Sequence, residues 1–243
     1  MTNQEFLTGF LMLYDKVSTL QLPSWEPTEI SIFASQEQEL LVKSYYNSQS
    51  NILREGFEET EKRIQDLGEL VKNDILTPAV YNPLLNMDNG VFVTLPNTLI
   101  TSGPTDYSDV FWFTVFEEAI TDMVDPCDTT KFLKLEIYET NHNEYKQLIS
   151  DPFNRPTNKR VWRMRITGRQ QELITDGTYN VTGYHFRYIA KPTPIDLTGL
   201  ATATVSQLSD EVHLEILKKT VQAARAAVKD YQPAEYDAKT PKE

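Results

Sequence analysis

Cysteine, glycine and histidine are scarce in this chain of 243 residues, and each shortage excludes a class of protein. The single cysteine, Cys127, excludes an internal disulfide and a cysteine-rich zinc domain. Nine glycines are scattered and form no phosphate-binding loop, and neither the G-x-S-x-G nor the H-E-x-x-H pattern is present. The three histidines fall on three different predicted elements. The sequence therefore predicts that the protein is not an enzyme and binds no cofactor.

Long apolar runs and an excess of basic residues are missing as well. No run approaches the ~20 apolar residues that span a bilayer, and no signal peptide is apparent, so we expect no membrane contact. With 35 acidic and 23 basic residues, the formal net charge is −12. Because phosphate neutralisation needs clustered Lys and Arg, such a chain is a poor candidate for gripping nucleic acid. A hydrophobic content of 40% is sufficient for a folded core.

One acidic segment leaves a chemical alternative open. Asp122, Asp125 and Asp128 lie within seven residues, and three carboxylates at this spacing could hold a hard cation. The spacing does not match an EF-hand, and Pro126 restricts the backbone. We therefore favour a solvated loop, and an enzyme that uses these carboxylates remains the least favoured functional hypothesis.

The pattern of apolar residues divides the chain into helical and strand-rich parts. Residues 1–75 have helical periodicity, which begins with a face of Phe6, Phe10, Leu13 and Val17 and ends in a charged helix over 52–73. Residues 76–197 alternate as strands do. Residues 198–230 contain a final helix, from about Asp210, that completes the same domain, and 231–243 form a polar tail that is disordered or ordered only by a partner. This order predicts an α+β fold with N-terminal and C-terminal helices packed beside a mostly antiparallel β-sheet.

Positive charge is concentrated in one strand-rich stretch of this acidic chain. From 155 to 191 there are eight basic and two acidic residues, a balance of +6 that leaves −18 for the rest. The alternation within 160–167 places Trp162 and Met164 on one side of a strand and Arg163 and Arg165 on the other. A basic face on an acidic body suits docking on copies of itself or on an acidic partner, whereas the alternative is a solvated outer sheet face. The interface candidates of this stretch are Arg155, Lys159, Arg160, Arg163, Arg165, Arg169, Arg187 and Lys191.

The C-terminal helix supplies a second set of interface candidates. Leu214 begins an apolar face on which several residues are small, and small residues permit the close approach of another backbone. The interface candidates on this face are Leu217, Val221, Ala224 and Val228.

Several short motifs occur in an order that is more specific than any of them alone. They are Trp25-Glu26-Pro27-Thr28-Glu29-Ile30, Gly56-Phe57-Glu58, Asn143-Glu144-Tyr145, Asp151-Pro152-Phe153-Asn154-Arg155-Pro156, Tyr188-Ile189-Ala190-Lys191-Pro192 and Leu208-Ser209-Asp210-Glu211. Together they make the chain resemble the head–tail connector proteins (neck ring or adaptor proteins) of crAss-like tailed bacteriophages.

The resemblance implies a structural virion protein at the neck, synthesised in the host cytoplasm. Such proteins form rings, often twelvefold, beneath the portal and continue the channel through which the genome passes. The implied partners are further copies of this chain, the portal protein and neighbouring ring or tail proteins, and DNA would pass without sequence-specific binding. A different virion component, such as a tail-barrel, capsid-decoration or host-contact protein, is the main alternative. If the arginines form the docking surface, we expect reversal of Arg163 and Arg165 to Glu to abolish assembly and leave the fold intact.

Overall fold

A computed structural model describes residues 1–15, 25–47, 60–79, 87–97, 99–100, 107–108, 110–125, 127–167 and 169–239. The chain divides into two compact units. The helical unit comprises Met1–Leu70, Thr101–Tyr107 and Pro192–Glu243, and the sheet unit comprises Val71–Ile100 and Ser108–Lys191.

The helices lie at the two ends of the chain, apart from one short helix, and the strands lie between them. The helices are α1 (Asn3–Asp15), α2 (Pro27–Tyr46), α3 (Glu61–Leu67, followed by a 3₁₀ turn at Gly68–Leu70), α4 (Tyr145–Ser150) and α5 (Asp210–Lys239). The strands are β1 (Val71–Leu76), β2 (Gly90–Thr94), β3 (Leu99–Ile100), β4 (Tyr107–Ser108), β5 (Phe111–Asp125), β6 (Asp128–Thr140), β7 (Arg160–Arg165), β8 (Gln170–Ile174) and β9 (Val181–Ala190).

In the helical unit, α5 packs against both α1 and α2. The predicted face of α1 is buried at Phe6 and Phe10, whereas Val17 lies outside the described residues. A side chain at Gly9 would come within 2.9 Å of Leu217 Cδ2, so the glycine permits close packing of α1 on α5. The start of α2 is fixed by Pro27 in its first turn and by a capping box, in which the Glu29 carboxylate accepts a 2.9 Å hydrogen bond from the Glu26 backbone.

Seven strands form one sheet in the order β1-β9-β5-β6-β7-β8-β2, and β3 and β4 pair separately. Every neighbouring pair in the large sheet is antiparallel except β6 and β7, which are parallel. A parallel pair needs a crossover connection, and residues 141–159 supply it with α4 and the turn Asp151–Pro156. The proline-bounded motif of the sequence thus belongs to the connection that makes the sheet mixed.

The two faces of this sheet differ in what covers them. On the core face, Phe186 stacks between Tyr184 and Tyr188, with ring centroids 5.1 and 4.8 Å away. These rings are buried with apolar side chains of β5, β6, β7 and β8, namely Ala119, Leu135, Val161 and Leu173. On the outer face, Trp162, Met164 and Ile174 form a second cluster with Tyr145 and Leu148 of α4. Helix α4 therefore covers the β7–β8 half of the outer face.

The predicted α+β class is confirmed, with helices at both ends and a mostly antiparallel sheet. The boundaries differ from the sequence prediction. The helix predicted over 52–73 is described only at 61–67, since 52–59 (with the Gly56-Phe57-Glu58 motif) lie outside the described residues, and Val71 already begins β1. Strand β1 lacks a strong strand pattern because it is an edge strand, in which polar side chains remain solvated. The division into domains stays a prediction, although the helical part ends at Leu70 rather than 75.

Two segments predicted to be irregular are regular. The acidic loop at 122–128 is instead the end of a long hairpin, because β5 continues to Asp125 and β6 begins at Asp128. Helix α5 continues to Lys239, past the predicted end at 230, so the polar tail is helical for most of its length. Residues 240–243 lie outside the described residues.

Candidate subunit interface

The eight basic residues of the 155–191 stretch do not share one face. Alternation along the strands places Arg160 and Arg187 on the outer face and Arg163 and Arg165 on the core face. The others lie in connections or at a strand end. Arg163 is buried, and Arg160 and Lys191 are half-buried. The other five are exposed, namely Arg155, Lys159, Arg165, Arg169 and Arg187. The interface prediction for the exposed residues stays a prediction.

Arg163 is only 4% exposed and lies in an ionic cluster on the core face. Its Nη2 is 3.0 Å from Glu139 Oε2 on β6, and its Nε is 3.5 Å from Glu117 Oε2 on β5. The Tyr184 hydroxyl on β9 donates a 2.7 Å hydrogen bond to the same Glu117 oxygen. The cluster therefore joins four neighbouring strands, and Arg163 is not available to a partner.

This burial corrects the expected effect of reversing Arg163 and Arg165 together. A glutamate at position 163 would place a third carboxylate beside Glu117 and Glu139, so the fold would not stay intact. Burial also raises the pKa of Glu117, although the Arg163 guanidinium opposes that rise. A test of docking has to use exposed residues such as Arg165 and leave Arg163 in place.

The interface candidates on the C-terminal helix pack inside the chain. Leu217, Val221 and Ala224 are buried in the helical unit, where α5 contacts α1 and α2. Val228 is half-buried, and Leu214, which was assigned to the same apolar face, is 47% exposed. The small residues therefore serve close packing within this chain, which is a correction to their role as partner contacts.

On the outer face, a row of polar side chains crosses β1, β9, β5 and β6. His185 of β9 lies between two acceptors, with Nε2 2.7 Å from Asn73 Oδ1 of β1 and Nδ1 2.6 Å from Glu118 Oε1 of β5. Lys134 of β6 donates to the same Glu118 oxygen. Burial raises the pKa of Glu118, but the hydrogen bonds from Lys134 and His185 outweigh it and leave the pKa below its ordinary value.

Large apolar side chains surround this polar row and are exposed. They are Ile75, Phe116, Val124, Phe132 and Tyr138, with exposed fractions of 58%, 44%, 50%, 60% and 43%. An arginine lies over each of two of these rings: the Arg160 guanidinium carbon is 4.6 Å from the Tyr138 ring centroid, and the Arg187 guanidinium carbon is 6.0 Å from the Phe116 ring centroid. We call this surface of β1, β9, β5 and β6, made up of the polar row, these five apolar residues and the two arginines, the open face.

Strand periodicity alone does not reveal the open face, because an aromatic residue that alternates along a strand can face a core or the solvent. A signal for it was present, since Phe132 alternates with Leu133, Leu135 and Ile137 and therefore lies opposite to them. Leu135 is 4% exposed and Phe132 is 60% exposed. A strand that is apolar on both faces predicts either a second core or a contact surface on its second face. Here the second face is exposed, which favours a contact surface.

The acidic segment forms hydrogen bonds within the protein. The Asp122 carboxylate accepts bonds of 3.0 and 2.8 Å from the backbone and side-chain nitrogens of Asn180, which lower its pKa. Asp125 Oδ1 accepts a 2.8 Å bond from the Cys127 backbone. Within the described ranges, no cluster of three acidic, histidine or cysteine residues is placed to hold a metal ion. Of the helices in these ranges, none is long and apolar enough to cross a bilayer.

Comparison with known proteins gives similarity over nearly the whole chain. The family described as "Phage tail ring protein 3/4" matches residues 1–235. "Ring protein 4/5" of Bacteroides phage crAss001 is 28% identical over 242 residues, which cover 93% of each chain. "Ring protein 3" of the same phage is 28% identical over 234 residues, which cover 92% of this chain and 95% of the relative. The resemblance to ring proteins of crAss-like phages is confirmed.

Proposed function

The chain belongs to the phage tail ring protein 3/4 family, and from this premise we propose that it is a structural virion protein that forms an oligomeric ring in the head–tail connector. The observation that carries the proposal is the extent of the family match. It covers residues 1–235 and therefore includes both the helical unit and the sheet unit. The relatives that match over nearly their full length carry the name ring protein, so the role transferred is that of the whole chain.

We further propose that the ring surrounds the path of the genome without holding it. The chain carries a formal charge of −12, and the helical unit has 21 acidic against 11 basic residues. A negatively charged channel wall would repel phosphate and let DNA slide, whereas a basic wall would bind it in a salt-dependent way. The proposed partners are further copies of the chain, with twelve as the expected ring size, the portal protein and neighbouring ring or tail proteins.

Direct observation of assembly tests the proposal. The purified protein is followed by sedimentation velocity over a range of concentrations, and the largest species is imaged by negative stain. We expect a closed ring in equilibrium with smaller species. A chain that stays monomeric at every concentration and is absent from assembled particles would contradict the proposal. Labelled DNA should show no binding to the monomer at physiological salt.

A further inference from the structure

Among the described residues, the two halves of the outer face of the sheet differ in exposure. Helix α4 covers β7 and β8 through Tyr145 and Leu148, which pack on Trp162, Met164 and Ile174. The other half is the open face, where side chains such as Ile75 and Phe132 are about 60% exposed. A concentration of exposed apolar side chains of this kind marks an interaction site more often than a solvated surface.

The composition of the open face is that of an interface. Phe, Tyr and Arg are the residue types that concentrate at the centre of protein–protein contacts, and here Phe116 and Tyr138 are each paired with an arginine. The polar row is already hydrogen-bonded within the chain, from Asn73 through His185 and Glu118 to Lys134. A partner that covers this row therefore meets groups that already have hydrogen-bond partners within the chain, which lowers the cost of burying them.

The open face extends along a two-stranded ribbon. Among the described residues, the β5–β9 pairing ends at Thr121 and the β6–β7 pairing begins at Glu136. The far ends of β5 and β6 therefore pair with each other, and one further backbone bond joins Asp122 N to Asn180 O. Val124 and Phe132 are cross-strand partners on this ribbon, between two irregularities of the β5–β6 pairing, and are 50% and 60% exposed. An isolated two-stranded ribbon is marginally stable in water, so a partner that covers this apolar pair would also stabilise the ribbon.

We propose that the open face docks onto the acidic helical unit of a second copy of this chain. The open face carries three cations, Lys134, Arg160 and Arg187, and also the carboxylates of Glu118 and Glu136, so its charge balance is only weakly positive. The helical unit, in contrast, has almost twice as many acidic as basic residues. Contact between two open faces would close a dimer, whereas a ring needs two different complementary surfaces on each copy. The docking proposal rests on the proposed ring function, because it is the ring that requires a head-to-tail contact.

A matched pair of phenylalanines tests whether the open face is the contact. Phe132→Asp changes a 60% exposed side chain on the open face, and Phe153→Asp changes an 88% exposed side chain in the crossover turn, outside that face. We expect Phe132→Asp to weaken association by about tenfold or more in sedimentation velocity, as for a contact hot spot, and Phe153→Asp to leave it unchanged. Both variants should keep the wild-type circular dichroism spectrum and melting temperature.

The outcomes separate the docking proposal from the proposed function. If the wild type forms rings and Phe132→Asp forms them at the same concentration, the docking proposal is wrong and the ring function stands. If the wild type is monomeric at every concentration, both fail. If Phe153→Asp weakens assembly as strongly as Phe132→Asp, the open face is not the specific contact.

A crosslinking experiment at the exposed Cys127 tests whether the helical unit of a second copy contacts the open face. Cys127 lies in the turn between β5 and β6, at the end of the ribbon, and is the only cysteine in the sequence. A photoreactive group attached to Cys127 in isotope-labelled copies, mixed with unlabelled copies, reports contacts between chains by mass spectrometry. We expect adducts with helical-unit peptides of the unlabelled chain. Adducts confined to sheet-unit peptides, or none from assembled rings, would overturn the choice of occupant.

Discussion

The two faces of the seven-stranded sheet use arginine in opposite ways. On the core face, Arg163 is 4% exposed and lies between two carboxylates, while on the outer face Arg187 is exposed and lies over the Phe116 ring. Both residues occur in alternating strands and look equivalent in the sequence. The difference shows that the charge of a strand residue does not reveal which face is solvated, since burial depends on what neighbouring strands place beside it.

The largest effect is expected on the core face, from Arg163→Ala. Removing a buried cation leaves the Glu117 carboxylate without its counter-charge, and we expect a loss of about 3 kcal/mol in the free energy of unfolding, measured by urea denaturation. The double variant Arg163→Ala with Glu117→Gln removes the stranded charge as well and should recover part of the loss. A single-variant loss below about 1 kcal/mol would mean that the two faces do not differ as the burial indicates.

A smaller effect is expected on the covered half of the outer face, where a carboxylate is buried. Glu172 is 1% exposed, its pKa is raised by burial, and it accepts a 2.5 Å hydrogen bond from the Met87 backbone. A side chain at Gly90 would lie 2.3 Å from Glu172 Oε1. Gly90→Ala should therefore displace Glu172 and cost about 1–3 kcal/mol, as overpacking does.

Gly68→Ala is the matched control for that substitution. Gly68 adopts a helical conformation at the end of α3, and a side chain there would meet nothing within 4 Å. Alanine should be neutral or slightly stabilising in the same urea titration, because it restricts the unfolded chain. Equal losses from the two substitutions would show that the close contact at Gly90 is not the cause.

Local sequence patterns predicted which segments form helices and strands better than they predicted which side chains are exposed. The alternation of Trp162 and Met164 against Arg163 identified β7, and the periodicity of Phe6 and Phe10 identified the buried side of α1. The exposure of Arg163 could not be predicted, because its partners Glu117 and Glu139 come from strands that are remote in sequence. Alternation also placed Phe132 opposite Leu135 without revealing that the Phe132 side chain stays 60% exposed. Coverage is a property of tertiary packing, so the open face becomes visible only in the assembled sheet.

The pH dependence of stability compares the two faces, because the neighbouring residues Glu117 and Glu118 place their carboxyl groups on opposite faces of β5. Burial raises the pKa of Glu117 on the core face above its ordinary value of 4.5, and hydrogen bonds from Lys134 and His185 lower that of Glu118 on the outer face despite its burial. The stability that Glu117 contributes is complete below pH 4.5 and is lost as the pH rises through the pKa of Glu117 in the folded state. The stability that Glu118 contributes is complete above pH 4.5 and is lost as the pH falls through the pKa of Glu118 in the folded state.

We therefore expect opposite pH slopes for Glu117→Gln and Glu118→Gln. Relative to each variant, the wild type should lose stability with rising pH above 4.5 in the first case and with falling pH below 4.5 in the second. Carboxyl ¹³C chemical shifts across the titration measure the two pKa values directly. Slopes of the same sign would mean that the two faces do not impose different environments on these neighbours.

The smallest effect is expected from Arg187→Ala on the outer face. The guanidinium lies 6.0 Å from the Phe116 ring and is solvated, so its removal should change the free energy of unfolding by less than about 1 kcal/mol. The measurement is the same urea titration as for Arg163→Ala, carried out on the monomer at low concentration. If Arg187 instead serves contact with a second copy, its removal should weaken assembly while the monomer stays as stable as the wild type. If Arg187→Ala instead lost as much stability as Arg163→Ala, the two faces would not differ in this way. Arginine would then stabilise the fold on both faces, and the outer-face arginine would not be reserved for a partner.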